Sequence, residues 1–417
     1  NIVGETGLAA ISNASMISFI INSICIGVTM GGTVLIAQYK GANDEQGQSE
    51  TVGTLFAISL IASFIVTIIG LIVYKLLFHI LNVPAASMQD ACEYMKIICY
   101  GTVFVFGYNA VCSIMKGFGD SKSPLYFVAI ATVVNIILDL ILVGPFNMGT
   151  AGAAYATIFS QGVSLFVSII HLKRKKFVFD FKIKHFAIQS DKLITILKVG
   201  LPTAIQMVIV NISYLLITGM LNYFGVSVAA ASGVGLKVNT FAGMPCWAIG
   251  QAVTAMVGQN VGANDIERVR KTTKIGLYLN VSVTLIAIII VQLFAEQIIM
   301  LFEPESQEVI KDGVLYLRMC CGINSLIYAA MYTFDSFAIG IGSANVAMIN
   351  ALLDAVFVRL SVSWILAFVI HIGFTGIYIG QAVSPVLPAI VGLIYFKTNS
   401  WEKKKLIHYA EGSVGQP

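Results

Sequence analysis

Charged side chains are what this 417-residue sequence has least of: Asp, Glu, Lys and Arg together make up 11% of it, against roughly a quarter in a soluble domain. With 57% hydrophobic residues beside so little charge, the chain cannot cover an aqueous surface and belongs to the membrane class. Histidine is scarce as well. The five (His79, His171, His185, His371 and His408) do not cluster in sequence, and neither HExxH nor GxSxG occurs. A membrane enzyme would need convergent nucleophile, base or metal ligands, and no such set is visible. Cys25, Cys92, Cys99, Cys112, Cys246, Cys320 and Cys321 form no CxxC pair and fall in or beside apolar runs; they read as small packing residues, not as a metal site or a disulfide framework. No arginine-rich stripe with interleaved aromatics points to nucleic acid, and no segment resembles the filter loop of a channel.

What the sequence does have is long apolar runs. About 20 apolar residues cross a bilayer as a helix, because lipid offers the backbone no hydrogen-bond partner and the segment must satisfy its own. By that rule the chain holds about eleven spans, near 9–37, 51–82, 94–116, 124–145, 151–172, 194–221, 228–257, 273–301, 314–341, 346–370 and 374–396. The fold class is all-α and integral to the membrane.

Lys and Arg gather in alternate connections: Lys173, Arg174, Lys175, Lys176, Lys182, Lys184 and Lys192 after the fifth span, Arg268, Arg270, Lys271 and Lys274 after the seventh, and Lys403, Lys404 and Lys405 in the tail. The opposite connections carry Asp90, Glu93, Glu303, Glu305, Glu308 and Asp312. Basic loops stay on the cytoplasmic side, so the tail is expected inside and Asn1 outside.

An internal repeat runs through these spans. Gln38-x-x-Gly41-Ala42-Asn43-Asp44 recurs as Gln259-x-x-Gly262-Ala263-Asn264-Asp265 at an offset of 221, Gly117-x-Gly119 as Gly340-x-Gly342 at 223, and Gly149-x-x-Gly152 as Gly373-x-x-Gly376 at 224. Several matches at nearly one offset mark a duplication. Residues 1–190 then form one lobe with its basic linker, and residues 191–417 a second. The span at 194–221 has no first-lobe partner in the sequence, so the repeat logic expects a further helix before residue 1, giving two parallel six-helix bundles of which about eleven helices are present here.

These marks resemble the multidrug and toxic compound extrusion (MATE) transporters, in a superfamily that also contains lipid-linked oligosaccharide flippases. Four features carry the resemblance: QxxGAND after the second helix of each half, the turn Gly117-x-Gly119-Asp120-x-Lys122-x-Pro124, Gly149-x-x-Gly152-Ala153-Ala154 opening the sixth helix, and Gly200-Leu201-Pro202 opening the second half. The resemblance implies two lobes around a cavity that opens alternately to each side of the plasma membrane. It implies export of cationic, amphipathic compounds by a monomer in exchange for H⁺ or Na⁺, with no cofactor, among membrane lipids.

An ionisable group at mid-membrane costs from about 2.5 to more than 10 kcal/mol, so it is paired or functional. Asp139 is the foremost case. Asn135 stands four residues before it, on the same helix face. The pattern resembles one on the fifth helix of a proton-linked MATE branch, where it cooperates with a Thr at the spacing of Thr157; Asn109 and Tyr94 are further matches. The same Asn–Asp pair would also serve simply to bond neighbouring helices. In the second lobe the ionisable candidates are Asp335, Asp354, Arg359 and Lys237. The carboxylate of a Na⁺-linked branch would fall near Tyr328, about two turns from Asp335. Asp354 and Arg359 are five apart, off the i,i+4 spacing of facing residues, so a direct pair between them is not favoured, and snorkelling gives Arg359 a structural role. Lys237 either pairs across helices or helps close the cavity. A flippase of the same superfamily would need several cations to hold pyrophosphate; Lys237 and Arg359 are the only candidates, which favours an exporter of cations.

Overall fold

The computed structural model describes residues 4–80, 83–174, 178–182, 185–304, 306–404 and 406–407. Asn1, Lys175, Lys176, Lys184, Glu305, Lys405 and His408 lie outside them. Helices follow one another with short turns: α1 (Gly4–Gly41), α2 (Glu45–Ile80), α3 (Ala85–Gly117), α4 (Lys122–Val143), α5 (Gly149–Arg174), α6 (Ser190–Asn222), α7 (Val226–Gly262), α8 (Ile266–Leu293), the short α9 (Ala295–Met300), α10 (Gln307–Cys320) and α11 (Asn324–Gly340). Two further spans complete the chain, α12 (Ala344–Val369) and α13 (Phe374–Lys397), the latter broken by a turn at Ser384 and Pro385.

Nine of these helices are long and apolar enough to cross a bilayer, and ten if α10 and α11, bent by 48° at their break, count as one. The expected span at 228–257 lies in α7, a 37-residue helix with Lys237 and many small residues that meets the length but not the apolarity. Exposed side chains explain where the apolarity goes. On α2 an outward stripe of Leu60, Phe64, Ile68, Ile72 and Leu76 repeats every four residues, as a lipid-facing helix surface requires.

The chain divides into two compact units, Asn1–Ala204 and Ile205–Pro417. In the first, α3 is central, packing against α1, α2 and α5, while α4 lies on α5. In the second, α11 packs against α7, α8 and α13 in the same order. The duplication reaches the turns. Asn43 and Asn264 both sit in the left-handed region, at φ 56° and 59°, as do Gly119 and Gly342 at 85° and 89°, and Asn147 and His371 at 49° and 61°. Asp44 Oδ1 accepts from the amide of Gly47 at 2.8 Å and Asp265 Oδ1 from that of Arg268 at 2.9 Å. Each carboxylate therefore satisfies an amide that the first helical turn leaves without a partner.

The connection after α5 is packed, not loose. Phe179, Phe181 and Phe186 gather around Phe56 of α2 with ring centroids about 6 Å from it. The amide of Gln189 donates to Thr54 Oγ1 at 3.2 Å, and Lys192 Nζ donates to the Tyr39 hydroxyl at 2.5 Å.

Candidate functional site

In the first unit α4 and α5 run antiparallel and are fastened along their length. Asp120 opens α4 by accepting from the amides of Lys122 and Ser123 at 3.1 and 3.0 Å and from Ser123 Oγ at 2.7 Å. That hydroxyl also meets His171 Nε2, near the end of α5, at 3.1 Å. Ser164 Oγ donates to the carbonyl of Phe127 at 2.9 Å. At the other end Gly152 brings α5 so near the carbonyl of Leu142 that a Cβ there would stand 3.2 Å from it. Between these fastenings lie Asn135 and Asp139 of α4 and Thr157 of α5.

Their polar atoms are incompletely matched. Asn135 Nδ2 and Asp139 Oδ1 are buried and, among the described residues, have no hydrogen-bond partner, although both residues are half-buried as wholes. Tyr94, buried on α3, brings its hydroxyl close to the side chain of Thr157 and lies within electrostatic reach of Asp139. Thr157 Oγ1 also donates to the carbonyl of Ala153 at 2.9 Å. The structure thus brings Tyr94, Asp139 and Thr157 together from three helices. Asn109 spends its amide on its own helix, donating to the carbonyl of Val105 at 2.8 Å. Gln161, one turn from Thr157, adds a buried and unpartnered Oε1 that sequence reasoning passed over; a lone glutamine in an apolar helix was the signal available.

The second unit holds a different arrangement. Asp335 is 2% exposed and accepts from Asn350 Nδ2 at 2.6 Å. Asp354 and Arg359 do form a direct pair, with Nη2 to Oδ2 at 2.5 Å, contrary to the expectation from their spacing. The reason is local: Leu353–Leu360 is a π-helix, in which residues five apart face one another. Arg359 is also not snorkelling, since it is 3% exposed and its guanidinium lies 4.4 Å from the centre of the Tyr214 ring. Lys237 is exposed and, among the described residues, forms no ion pair. Tyr328, near which the carboxylate of a Na⁺-linked branch is expected to fall, accepts from Trp247 Nε1 at 3.1 Å and stacks on Tyr332. Among the described residues no group of three or more His, Cys, Asp or Glu side chains is placed to hold a metal ion.

Two bundles with matching turns and a polar cluster inside a helical fold call for comparison with known proteins. The MatE family profile matches residues 1–141 and 202–365. The chain belongs to the MatE family. It is 30% identical over 313 residues to the probable multidrug resistance protein YoeA of Bacillus subtilis (strain 168), covering 73% of this chain and 67% of that protein. It is 27% identical over 415 residues to the probable multidrug resistance protein YpnP of the same organism, covering 97% and 90%. Among solved structures, an outward-facing multidrug resistance MATE family transporter of the MOP superfamily superposes with a TM-score of 0.91 at 22% identity, covering 97% of this chain and 90% of that one. As a MatE family member the chain is a multi-pass membrane transporter and not an enzyme.

Proposed function

We propose that this transporter exports amphipathic, cationic compounds across the plasma membrane in exchange for H⁺ or Na⁺, with the Asp139 carboxylate as the exchange site. It does so as a monomer with a cytoplasmic C-terminus, on small-molecule substrates and without a bound cofactor. The observation that carries the reading is a pair of buried atoms on one face of α4, Asp139 Oδ1 and Asn135 Nδ2, which have no hydrogen-bond partner among the described residues and lie near the hydroxyls of Tyr94 and Thr157. A carboxylate atom removed from water with no partner is costly, and taking up an ion or a proton relieves that cost. Among the described residues no Lys, Arg or His forms an ion pair with Asp139, which leaves its charge to an exchangeable cation. Export of cations is supported over flipping of a pyrophosphate-linked lipid because Arg359 is committed to Asp354, which leaves Lys237 alone of the two candidate cations.

The test is dye efflux from everted vesicles under an imposed H⁺ gradient and, in parallel, an imposed Na⁺ gradient. Asp139→Asn is expected to abolish efflux in whichever arm drives the parent protein, with the protein still folded. Unchanged efflux removes Asp139 from the mechanism.

A further inference from the structure

α12 changes its winding three times. It is α-helical over Ala344–Leu352, opens into π turns over Leu353–Leu360, closes at Ser361–Trp364 and opens again over Ile365–Val369. π turns account for well under 1% of residues and concentrate at functional sites. In an α-helix each residue advances about 100°, so residues five apart point about 140° away from each other; bonded i to i+5, they share a face. The π register is therefore what lets Asp354 meet Arg359.

Two side chains of α6 hold the same segment from outside. Ser213 Oγ donates to the carbonyl of Ala355 at 3.3 Å, and the Tyr214 ring lies against the Arg359 guanidinium. The fastening is nevertheless half-made. Asp354 Oδ1 and Arg359 Nη1 are buried and, among the described residues, have no hydrogen-bond partner, whereas arginine and carboxylate bind most strongly through two parallel bonds. A buried pair with one bond unmade is less favourable than its burial would suggest, which brings a competing α register within reach. Closing one π turn shifts everything beyond it by one residue, a rotation of about 100° and a slide of about 1.5 Å. Beyond it lies Ser363, whose Oγ donates to the carbonyl of Ile377 on α13 at 3.2 Å and packs against Gly380. A shift of register would break that contact.

We propose that Arg359 is a positioning residue for transport: by holding Asp354 across the π turn it sets the register of α12, and release of the pair lets α12 move by one residue against α13 during the cycle.

The experiment uses the full chain in membranes, with the native cysteines replaced and single cysteines placed along 361–370 for thiol labelling, in parallel with ethidium efflux. Arg359→Gln is expected to move the labelling maximum along the helix by one residue and to lower the maximal efflux rate at least tenfold, with KM within twofold. Exchange of the charges, Asp354→Arg with Arg359→Asp, is expected to restore the parent labelling pattern and most of the rate. A folded Arg359→Gln protein that labels like the parent overturns the proposal, as does a moved register with unchanged efflux. Should Arg359→Gln not fold, the exchanged pair decides: recovery of folding and of the labelling pattern supports the proposal, and failure overturns it.

Discussion

Thr33 Oγ1 donates to the carbonyl of Ser113 at 3.1 Å, and Thr254 Oγ1 donates to the carbonyl of Ser336 at 3.0 Å. The two bonds sit at offsets of 221 and 223 from each other, so one helix crossing, α1 on α3 and α7 on α11, is built twice from the same parts. A glycine completes each crossing. A Cβ on Gly117 would stand 2.9 Å from the carbonyl oxygen of Thr33, and one on Gly340 would stand 2.7 Å from that of Thr254.

These two glycines are predicted to be equally intolerant. Gly117→Ala and Gly340→Ala each press a methyl onto a backbone oxygen that cannot swing away, and overpacking of this kind costs about 1–3 kcal/mol. Gly219→Ala is the control, since nothing lies within 4 Å of its Cβ position, and alanine there is expected to be neutral or stabilising by up to about 1 kcal/mol. Thermal unfolding of the detergent-purified variants measures the difference; equal melting temperatures for all three would contradict it.

The repeat also contains an exchange of sizes. In the first unit Gly32 of α1 receives Leu55 of α2, with a Cβ on Gly32 2.4 Å from the leucine Cδ2; in the second Val253 of α7 fills the place of Gly32, and Gly276 of α8 the place of Leu55. The glycine changes sides, and the pair in the second unit is smaller by one methylene. Gly32→Val alone is therefore expected to lose about 1–3 kcal/mol by overpacking. The double variant Gly32→Val, Leu55→Gly recreates the second unit's arrangement and recovers at least half of that loss, a non-additivity readable from a double-mutant cycle. Additive losses would mean that the two contacts are not equivalent.

The connection after α5 offers a comparison of two kinds of fastening. Phe179 is 2% exposed among other aromatic rings, and removal of such a ring costs about 3–5 kcal/mol. Asp180 is fully exposed; the hydrogen bond from Lys182, and then that from His185, hold its carboxyl well below the usual carboxylate range. A depressed carboxylate contributes above its unfolded pKa and loses that contribution only as the pH falls through its lower folded value. Its contribution is thus constant from about pH 8 to pH 5, and exposed pairs are worth little in any case. Phe179→Ala is expected to raise tryptic cleavage after Lys182 at least tenfold at pH 8, and Asp180→Ala less than twofold. A larger effect of Asp180→Ala would place the fastening in the ion pair.

The spans, the duplication and the family marks were legible because each rests on a pattern of the chain itself: apolar length, one offset, and glycine or asparagine at turns that need a left-handed residue. Asn135 and Asp139 were legible for a similar reason, since i,i+4 spacing holds in any α-helix. The Asp354–Arg359 pair was misread because that same rule presumes an α-helix, and nothing in Leu353–Leu360 announces a π register. The break between α10 and α11 was drawn as one span because Cys320–Asn324 carries no proline. Gln161 was passed over because its meaning depends on which residues of α3 and α4 lie near it, and that is a property of packing.

The juxtaposition of Tyr94 and Thr157 yields the sharpest test of the first-unit cluster. Tyr94→Phe and Thr157→Val each delete one of two neighbouring hydroxyls, and a hydrogen bond made between them in the rate-limiting state is worth about 0.5–1.5 kcal/mol, or roughly 2- to 10-fold in rate. Because the loss is shared, the double variant should be no slower than the slower single one. Asn135→Leu removes a separate amide on α4, so its effect should multiply with that of Tyr94→Phe. Efflux rates of these three single and two double variants under one gradient check this directly. If Tyr94→Phe and Thr157→Val instead multiply, the hydroxyls act independently and the cluster is not one coupled unit; if all five transport at the parent rate, the polar face between α3, α4 and α5 serves packing alone.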